Sequence, residues 1–420
     1  MPKGSMPREP RWHALDALRA SAMLSVLLAH GSLAYIRYDV PGLLWAVRDR
    51  STHPVFDVLF HWTRIAVPLF FTLSGFFSAL LYEAKGRAGF LQDRTRRILV
   101  PLLVGILSVL PLTLWIWAYG WLRTGRCSDL QFLKMAFIDP EIRAQRYGPG
   151  HLWFLEYSLV YIILYCIIGP RLARSDGPCA ATPPPGRWEA VFFAPAAPFV
   201  LAAPTALLLW LSHEPSGLDA LLNRRNCFVP DPLRLIFYGL FFAFGVRLHR
   251  VRFGLGCLGR RAWVLLALSL LTFALRFLLL RLDLAGRLDP SWVPVEAILG
   301  ALTCWLSLYS LLGLVQRHIR HETRAIRYLA DASYWVYWCH LPITGLVQVH
   351  LSRVSIPVGL KFLLVVGVTL GWTLASYQTL VRYTSLGRWL HGPRHRSVFR
   401  SYAGPHRRIR TEMARRRART

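Results

Sequence analysis

Acidic side chains are scarce in this chain: 22 Asp and Glu stand against 50 Lys and Arg, and charged residues fill only 17% of 420 positions. Cysteine is scarce as well, and the seven present form no CxxC pair and no Cys/His cluster, which removes a structural zinc site and a dithiol redox motif. No metal site is expected. No loop is long enough to fold as a soluble domain, and no internal repeat is evident, which weighs against an inverted-repeat transporter. A cleavable signal-peptide pattern is also missing, because the first apolar block is too long and carries Asp16 and Arg19.

What fills the chain instead is hydrophobic residues, 54% of it, at a mean hydropathy of +0.36. They come in blocks long enough to cross about 30 Å of hydrocarbon, at 13–36, 55–81, 98–119, 151–169, 189–211, 233–248, 262–281, 293–315, 328–350 and 357–380. The expected fold is an all-α integral membrane protein, a single bundle of about ten transmembrane helices over 13–380. A short N-terminus (1–12) and an arginine-rich tail (381–420) flank it. Pro195, Pro198 and Pro204 interrupt the fifth block, which packed neighbours tolerate. Ser175–Gly186 is a Pro/Gly linker.

A net charge of +28 in a soluble chain would suggest nucleic acid; here it follows topology. Lys85, Arg87, Arg94, Arg96 and Arg97 follow span two, and Arg247, Arg250, Arg252, Arg260 and Arg261 follow span six. Arg317, Arg320, Arg324 and Arg327 follow span eight, so all three loops share one side with both termini. That side is the cytoplasm, the partner is a lipid bilayer, and nucleic acid is not expected. The long opposite loop, 120–150, also carries five basic residues, where loop length weakens the rule. Cys127 and Cys227 would both face outside and be free to pair.

Arg19 and His30 lie inside the first apolar block. Each ionisable group at membrane depth costs about 2.5–3.5 kcal/mol on insertion scales, so a functional role is the default. Their spacing turns a helix through three turns plus about 20° and rises about 16 Å, so one helix face joins two depths.

Other polar residues within spans gather at similar depth. His30, His61, Arg64, His151, Trp153, Glu156, Glu296 and His340 fall in the outer or middle part of their spans on this topology. A lone buried histidine is more often packing than catalyst, Arg64 and Glu156 could form a structural pair, and Trp153 could be an interface aromatic. Convergence from several spans favours a shared polar cavity. Toward the cytoplasm, Asp16, Arg19, Arg94, Arg96 and Arg97 form a second group. Asp16 and Arg19 could simply pair and the arginines could be topogenic, but guanidinium groups also suit phosphate recognition.

The segment RWHALDALRASAMLSVLLAH resembles the opening of the acyltransferase-3 family of integral membrane acyltransferases, its Arg-x10-His pattern falling on Arg19 and His30. FFTLSGFFSALLY, RTRRILVPLL, HLWFLEY and ASYWVYWCHLPI follow in that family's order. The last two, with His61-x-x-Arg64, are most similar to the branch containing glucans biosynthesis protein C. The terminal motif departs from that pattern, having no second histidine between His340 and Pro342.

The resemblance implies transfer of an acetyl or succinyl group from cytoplasmic acyl-CoA, a substrate rather than a bound cofactor. The acceptor would be a hydroxyl of an envelope glycan, among them osmoregulated periplasmic glucan, at a bacterial inner membrane. On this reading His30, Glu156 and Arg64 are catalytic: base or acyl carrier, imidazolium partner, and oxyanion stabiliser with His61. Arg19, Arg94, Arg96 and Arg97 bind the donor, and His61, His151, Trp153 and His340 the acceptor. A proton- or anion-coupled transporter or flippase would share the polar interior without needing a donor, and a sensor or scaffold would need neither.

Overall fold

The computed structural model describes residues 13–40, 42–145, 147–174, 192–212, 226–319, 321, 323–385 and 387. Among these, every regular element is a helix. The chain enters at α1 (His13–Ser32), which tightens into a 3-10 turn at Leu33–Tyr35. After an irregular loop come α2 (Pro54–Thr63) and α3 (Ala66–Arg94). A π-helix at Thr95–Leu99 leads into α4 (Val100–Leu107) and α5 (Val109–Arg123). Two short helices, α6 (Asp129–Lys134) and α7 (Pro140–Gln145), precede α8 (Trp153–Arg174). The remainder is α9 (Ala197–Leu211), α10 (Pro232–Arg250), α11 (Ala262–Leu284), α12 (Val293–His318), α13 (Arg324–Leu351) and α14 (Val358–Ser376).

Among the described residues, six helical stretches are long and apolar enough to cross a membrane: His13–Tyr35, Pro54–Arg123, Gly150–Gly169, Ala262–Leu284, Pro290–His318 and Val358–Val381. The second is 70 residues long, far beyond the ~20 that one crossing needs. Breaks after Thr63, at Gly86 and at Ser108 divide it. At Gly86 φ is +65°, a conformation that only glycine adopts without strain. The expected spans at 233–248 and 328–350 are helices, α10 and α13, but they fall outside the six. Both spend their polar residues inward, α10 burying Arg234 and His249, and α13 burying His340 and Gln348. The described part of the fifth block, 192–211, contains the 15-residue α9, with Pro198 in its first turn, where a missing N–H costs nothing, and Pro204 inside.

The largest core joins α1, α3, α8, α9, α10 and α12 through Leu18, Phe71, Phe76, Phe241, Trp305 and Tyr309. Gly75 and Gly245 explain how α3 and α10 cross. A Cβ at Gly75 would strike the carbonyl of Phe242, and one at Gly245 the carbonyl of Thr72, so the two backbones touch through reciprocal glycines. Polar hooks fix the rest of the register: Trp305 Nε1 donates to Thr205 Oγ1 at 2.8 Å, and Tyr161 Oη to the Leu235 carbonyl at 2.6 Å.

In the 120–150 loop, Arg126 bridges Asp139 at 2.6 Å and Glu141 at 2.5 Å. Slight burial disfavours the Asp139 anion, but hydrogen bonds from Arg126 and the Ile142 and Glu141 amides outweigh it and hold the carboxyl below its usual range. Cys127 is buried, Cys227 is exposed, and both are free thiols. The chain divides into a unit ending at Tyr377 and a second beginning at Gln378. In the second, Arg382 Nη1 donates to Gln378 Oε1 at 2.8 Å. The 1–12 segment, the Ser175–Gly186 linker and the arginine tail from 388 onward lie outside the described residues.

Candidate active site

α1 and α13 run side by side in the same direction, because Arg19 Nη2 donates to the Ala330 carbonyl at 3.2 Å while, eleven residues on, His30 Nδ1 meets His340 Nε2 at 2.8 Å. The two helices thus share both ends of the face that the Arg-x10-His spacing describes. The protons on the histidines follow from their partners. His340 Nδ1 lies 2.8 Å from the Tyr337 carbonyl and 3.2 Å from that of Val336, both pure acceptors. Nδ1 therefore carries the hydrogen, and the lone pair of a neutral His340 is on Nε2. His30 Nδ1 must then donate to it, which puts the His30 lone pair on Nε2, free of any hydrogen-bond partner among the described residues.

His151 joins them from the 3-10 turn Gly150–Leu152, entered through Gly150 at φ +53°. Its ring meets the His340 ring edge-on at 5.6 Å, and its Nε2 donates to the Trp338 carbonyl at 3.2 Å. That carbonyl is available because residue 342, whose amide would normally bond it in a helix, is proline. Pro342 thus creates the acceptor that orients His151. Tyr337 Oη donates to the His151 carbonyl at 2.6 Å, closing the contact from the same helix.

Above His30, the loop between α1 and α2 forms a roof. The Trp45 ring stacks on His30 at 5.7 Å and 10°. Trp45 Nε1 donates to Gln348 Oε1 at 2.8 Å, and Gln348 Nε2 reaches the His30 and Gly31 carbonyls at 3.1 and 3.0 Å, satisfying orphan acceptors at the end of α1. Indoles from α5 hold the loop backbone, Trp117 on the Leu44 carbonyl and Trp121 on that of Trp45, each at 3.0 Å. Two ion pairs anchor its ends, one buried and one half-buried. Lys361 Nζ lies 2.8 Å from Asp49 Oδ2 with both side chains at most 3% exposed, and Arg37 Nε lies 2.7 Å from Asp57 Oδ2.

Beneath this roof is a cavity of about 450 Å³, lined by His30, His151, Trp153, Glu156 and Arg234, with Trp45, Trp117 and Trp121 among its aromatic walls. Asp231 caps α10 by accepting from the Arg234 amide at 2.9 Å, with Pro232 in the first turn, which fixes where Arg234 leaves the helix.

At the opposite end of α1 the basic residues separate. Arg19 lies 3.4 Å from Asp16 and 5.7 Å from the Phe77 ring centroid, and Arg94 Nη2 donates to the Phe77 carbonyl at 3.0 Å, so these two arginines meet over one residue of α3. Arg97 pairs with Asp93 at 3.3 Å beside them, whereas Arg96 is exposed. Between the two ends, a crevice lined by Met23, Val26, Leu27, Phe70, Val336, Tyr337 and His340 is too narrow to admit a water molecule.

Of the residues singled out from sequence, His30, His151, Trp153 and Glu156 line the cavity. His340, expected among the acceptor contacts, stands behind His30 and is not among the residues lining this cavity. His61 and Arg64 do not line it either. His61 is hydrogen-bonded to Tyr38 Oη and packs against Phe60 and Phe277, and the Arg64 guanidinium lies over Phe60 at 5.2 Å. Glu296 forms an ion pair with Arg276 at 2.7 Å. Sequence reading missed Arg234, Trp45 and Gln348. A signal existed for two of them: Arg234 opens its span from the side that the positive-inside rule disfavours on the expected topology, and Trp45 lies in the middle of an apolar patch, 43–47, within a polar loop.

Several apolar helical stretches around a cavity that carries histidine, glutamate and arginine side chains define a multi-pass membrane protein. Residues 12–378 match the acyltransferase domain of the acyltransferase-3 family, and the chain belongs to that family. It is an acyltransferase for groups other than aminoacyl groups. No curated protein and no solved structure matches the chain.

Proposed function

We propose that this enzyme moves an acetyl or succinyl group from cytoplasmic acyl-CoA to a hydroxyl of an envelope glycan, osmoregulated periplasmic glucan being the foremost acceptor, across a bacterial inner membrane. The observation that carries the reading is the His30–His340 contact: it leaves a basic nitrogen on a ring that lines the cavity, on the helix whose other end holds Arg19. Both termini and the Arg19–Arg94 end face the cytoplasm in a topology of about ten spans.

The chemistry is acyl transfer from a thioester. The acceptor oxygen attacks the thioester carbonyl as His30 Nε2 takes its proton, the tetrahedral centre collapses, the C–S bond breaks, and the leaving thiolate recovers the proton from His30. Glu156 balances the imidazolium while it exists. Arg19 and Arg94 hold donor phosphates, with Arg97 alongside, and Arg96 serves only as an outer contact. The acyl-bearing arm follows the crevice between α1, α3 and α13, which must widen to pass it. His61 and Arg64 are given no oxyanion role, since neither lines the cavity.

Mass spectrometry of glycans from cells with and without the protein tests the reading. Loss of an acetyl or succinyl mass is expected, and identical spectra would count against it. With purified protein, Arg19→Ala is expected to raise the KM for acyl-CoA about 10- to 100-fold, the worth of a charged hydrogen bond, without changing acceptor preference. An unchanged donor dependence removes Arg19 from the donor site.

A further inference from the structure

Three buried polar atoms in the cavity have no hydrogen-bond partner: Arg234 Nε, Glu156 Oε2 and His151 Nδ1. Leaving such groups unmatched costs about 1–3 kcal/mol each, so three in one cavity mark a surface completed by a ligand. Arg234 is 9% exposed, and its guanidinium lies flat over the Trp153 ring at 3.7 Å and 5.5 Å from that of Tyr157. Trp153, Glu156 and Tyr157 share one face of α8 by their spacing. Glu156 is within electrostatic range of Arg234, yet the two form no ion pair among the described residues.

These atoms specify the ligand's chemistry. Arg234 offers only donors, while Glu156 as a carboxylate and His151 Nδ1, whose ring hydrogen is on Nε2, offer only acceptors. Donor atoms on Arg234 stand beside acceptor atoms on Glu156 and His151, so a ligand that only accepts or only donates leaves one side unmatched. The matching partner is a group that both donates and accepts, repeated on adjacent atoms: a vicinal pair of hydroxyls. Indole walls supply a flat apolar surface beside it, and the volume is within the range of about 300–1,000 Å³ for small-ligand pockets.

We infer that Arg234 and Glu156 are the acceptor-specificity residues, reading two adjacent hydroxyls of a neutral pyranose, Arg234 donating to one and Glu156 accepting from the other. The inference rests on the glycan-acceptor reading and adds to it the class of sugar and the residues that select it.

The test uses the full chain purified in detergent, acetyl-CoA or succinyl-CoA as donor, and methyl glucopyranoside, its monodeoxy derivatives and the corresponding uronic acid as acceptors. Wild type should prefer the neutral sugar, and removal of either hydroxyl of one adjacent pair should raise the acceptor KM about 10- to 100-fold. In Arg234→Met the parent sugar should bind as weakly as the derivative lacking the Arg234 partner, with kcat changed much less than KM. Glu156→Ala should erase the KM difference between the parent sugar and the derivative lacking the other hydroxyl, with kcat reduced as well because Glu156 balances the imidazolium, and it carries the test if Arg234→Met does not fold. Additive losses, with the deoxy penalty intact in both variants, or a preference for the uronic acid, would overturn the inference while leaving acyl transfer to a glycan standing. Wild-type transfer to none of these sugars, with the donor consumed, would overturn the glycan reading itself.

Discussion

His30→Ala should lower kcat/KM for acyl transfer by about 10²–10⁴-fold, the usual contribution of a positioned general base, while the protein still inserts and folds. His30 is half-buried at the end of α1. Its backbone carbonyl remains held by Gln348 whichever side chain is present, so the roof over the cavity survives the substitution. What disappears is the lining nitrogen to which the proton transfer is assigned, its lone pair set by the hydrogen bond to His340. The check is transfer from labelled acyl-CoA by purified protein, with helicity measured by circular dichroism. Full activity in a folded variant would remove His30 from the chemistry.

His340→Phe should cost about 10–100-fold, less than loss of His30, because His340 acts through its neighbour. Without it the His30 Nδ1 hydrogen has no acceptor, and nothing selects the tautomer that leaves the cavity-side nitrogen basic, as with the orienting group of a catalytic triad. A purely structural role predicts that any substitution of similar size behaves alike. The positioning role predicts instead that His340→Gln, whose amide oxygen can accept from His30 Nδ1, restores much of the activity. Gln and Phe variants with equal losses would assign His340 to packing.

The spacing of Arg19 and His30 was enough to place both on one helix face, and α13 does meet both ends of that face. Period and composition are local properties, and a helix transmits them faithfully over about 16 Å. The histidine turn before Trp153 was legible for the same reason. Spacing puts His61 and Arg64 on one helix face but does not say what that face meets: His61 packs against Tyr38, Phe60 and Phe277, and the Arg64 guanidinium lies over Phe60. Pro342 was visible, but its consequence was not: only a folded α13 shows that the carbonyl it frees is the one that His151 needs. Arg234 sat at a span boundary, where arginine ordinarily needs no explanation, and its stacking on Trp153 joins α8 to α10 across a loop that local pattern cannot fold. α10 and α13 satisfied a hydrophobic-block reading, yet α13 in particular carries the site's own polar residues and buries them inside the bundle.

The central claim is that one protein carries an acyl group between two faces of a membrane, from the end that holds Arg19 to the end that holds His30. Vesicles containing the protein in a single orientation test this, with labelled acyl-CoA sealed on the Arg19 side and the glycan acceptor confined to the other. Labelled glycan is expected only when acyl-CoA is present on the Arg19 side, and His30→Ala should abolish it. Labelling only when donor and acceptor share a compartment, or glycan crossing the vesicle unmodified with no donor present, would contradict it.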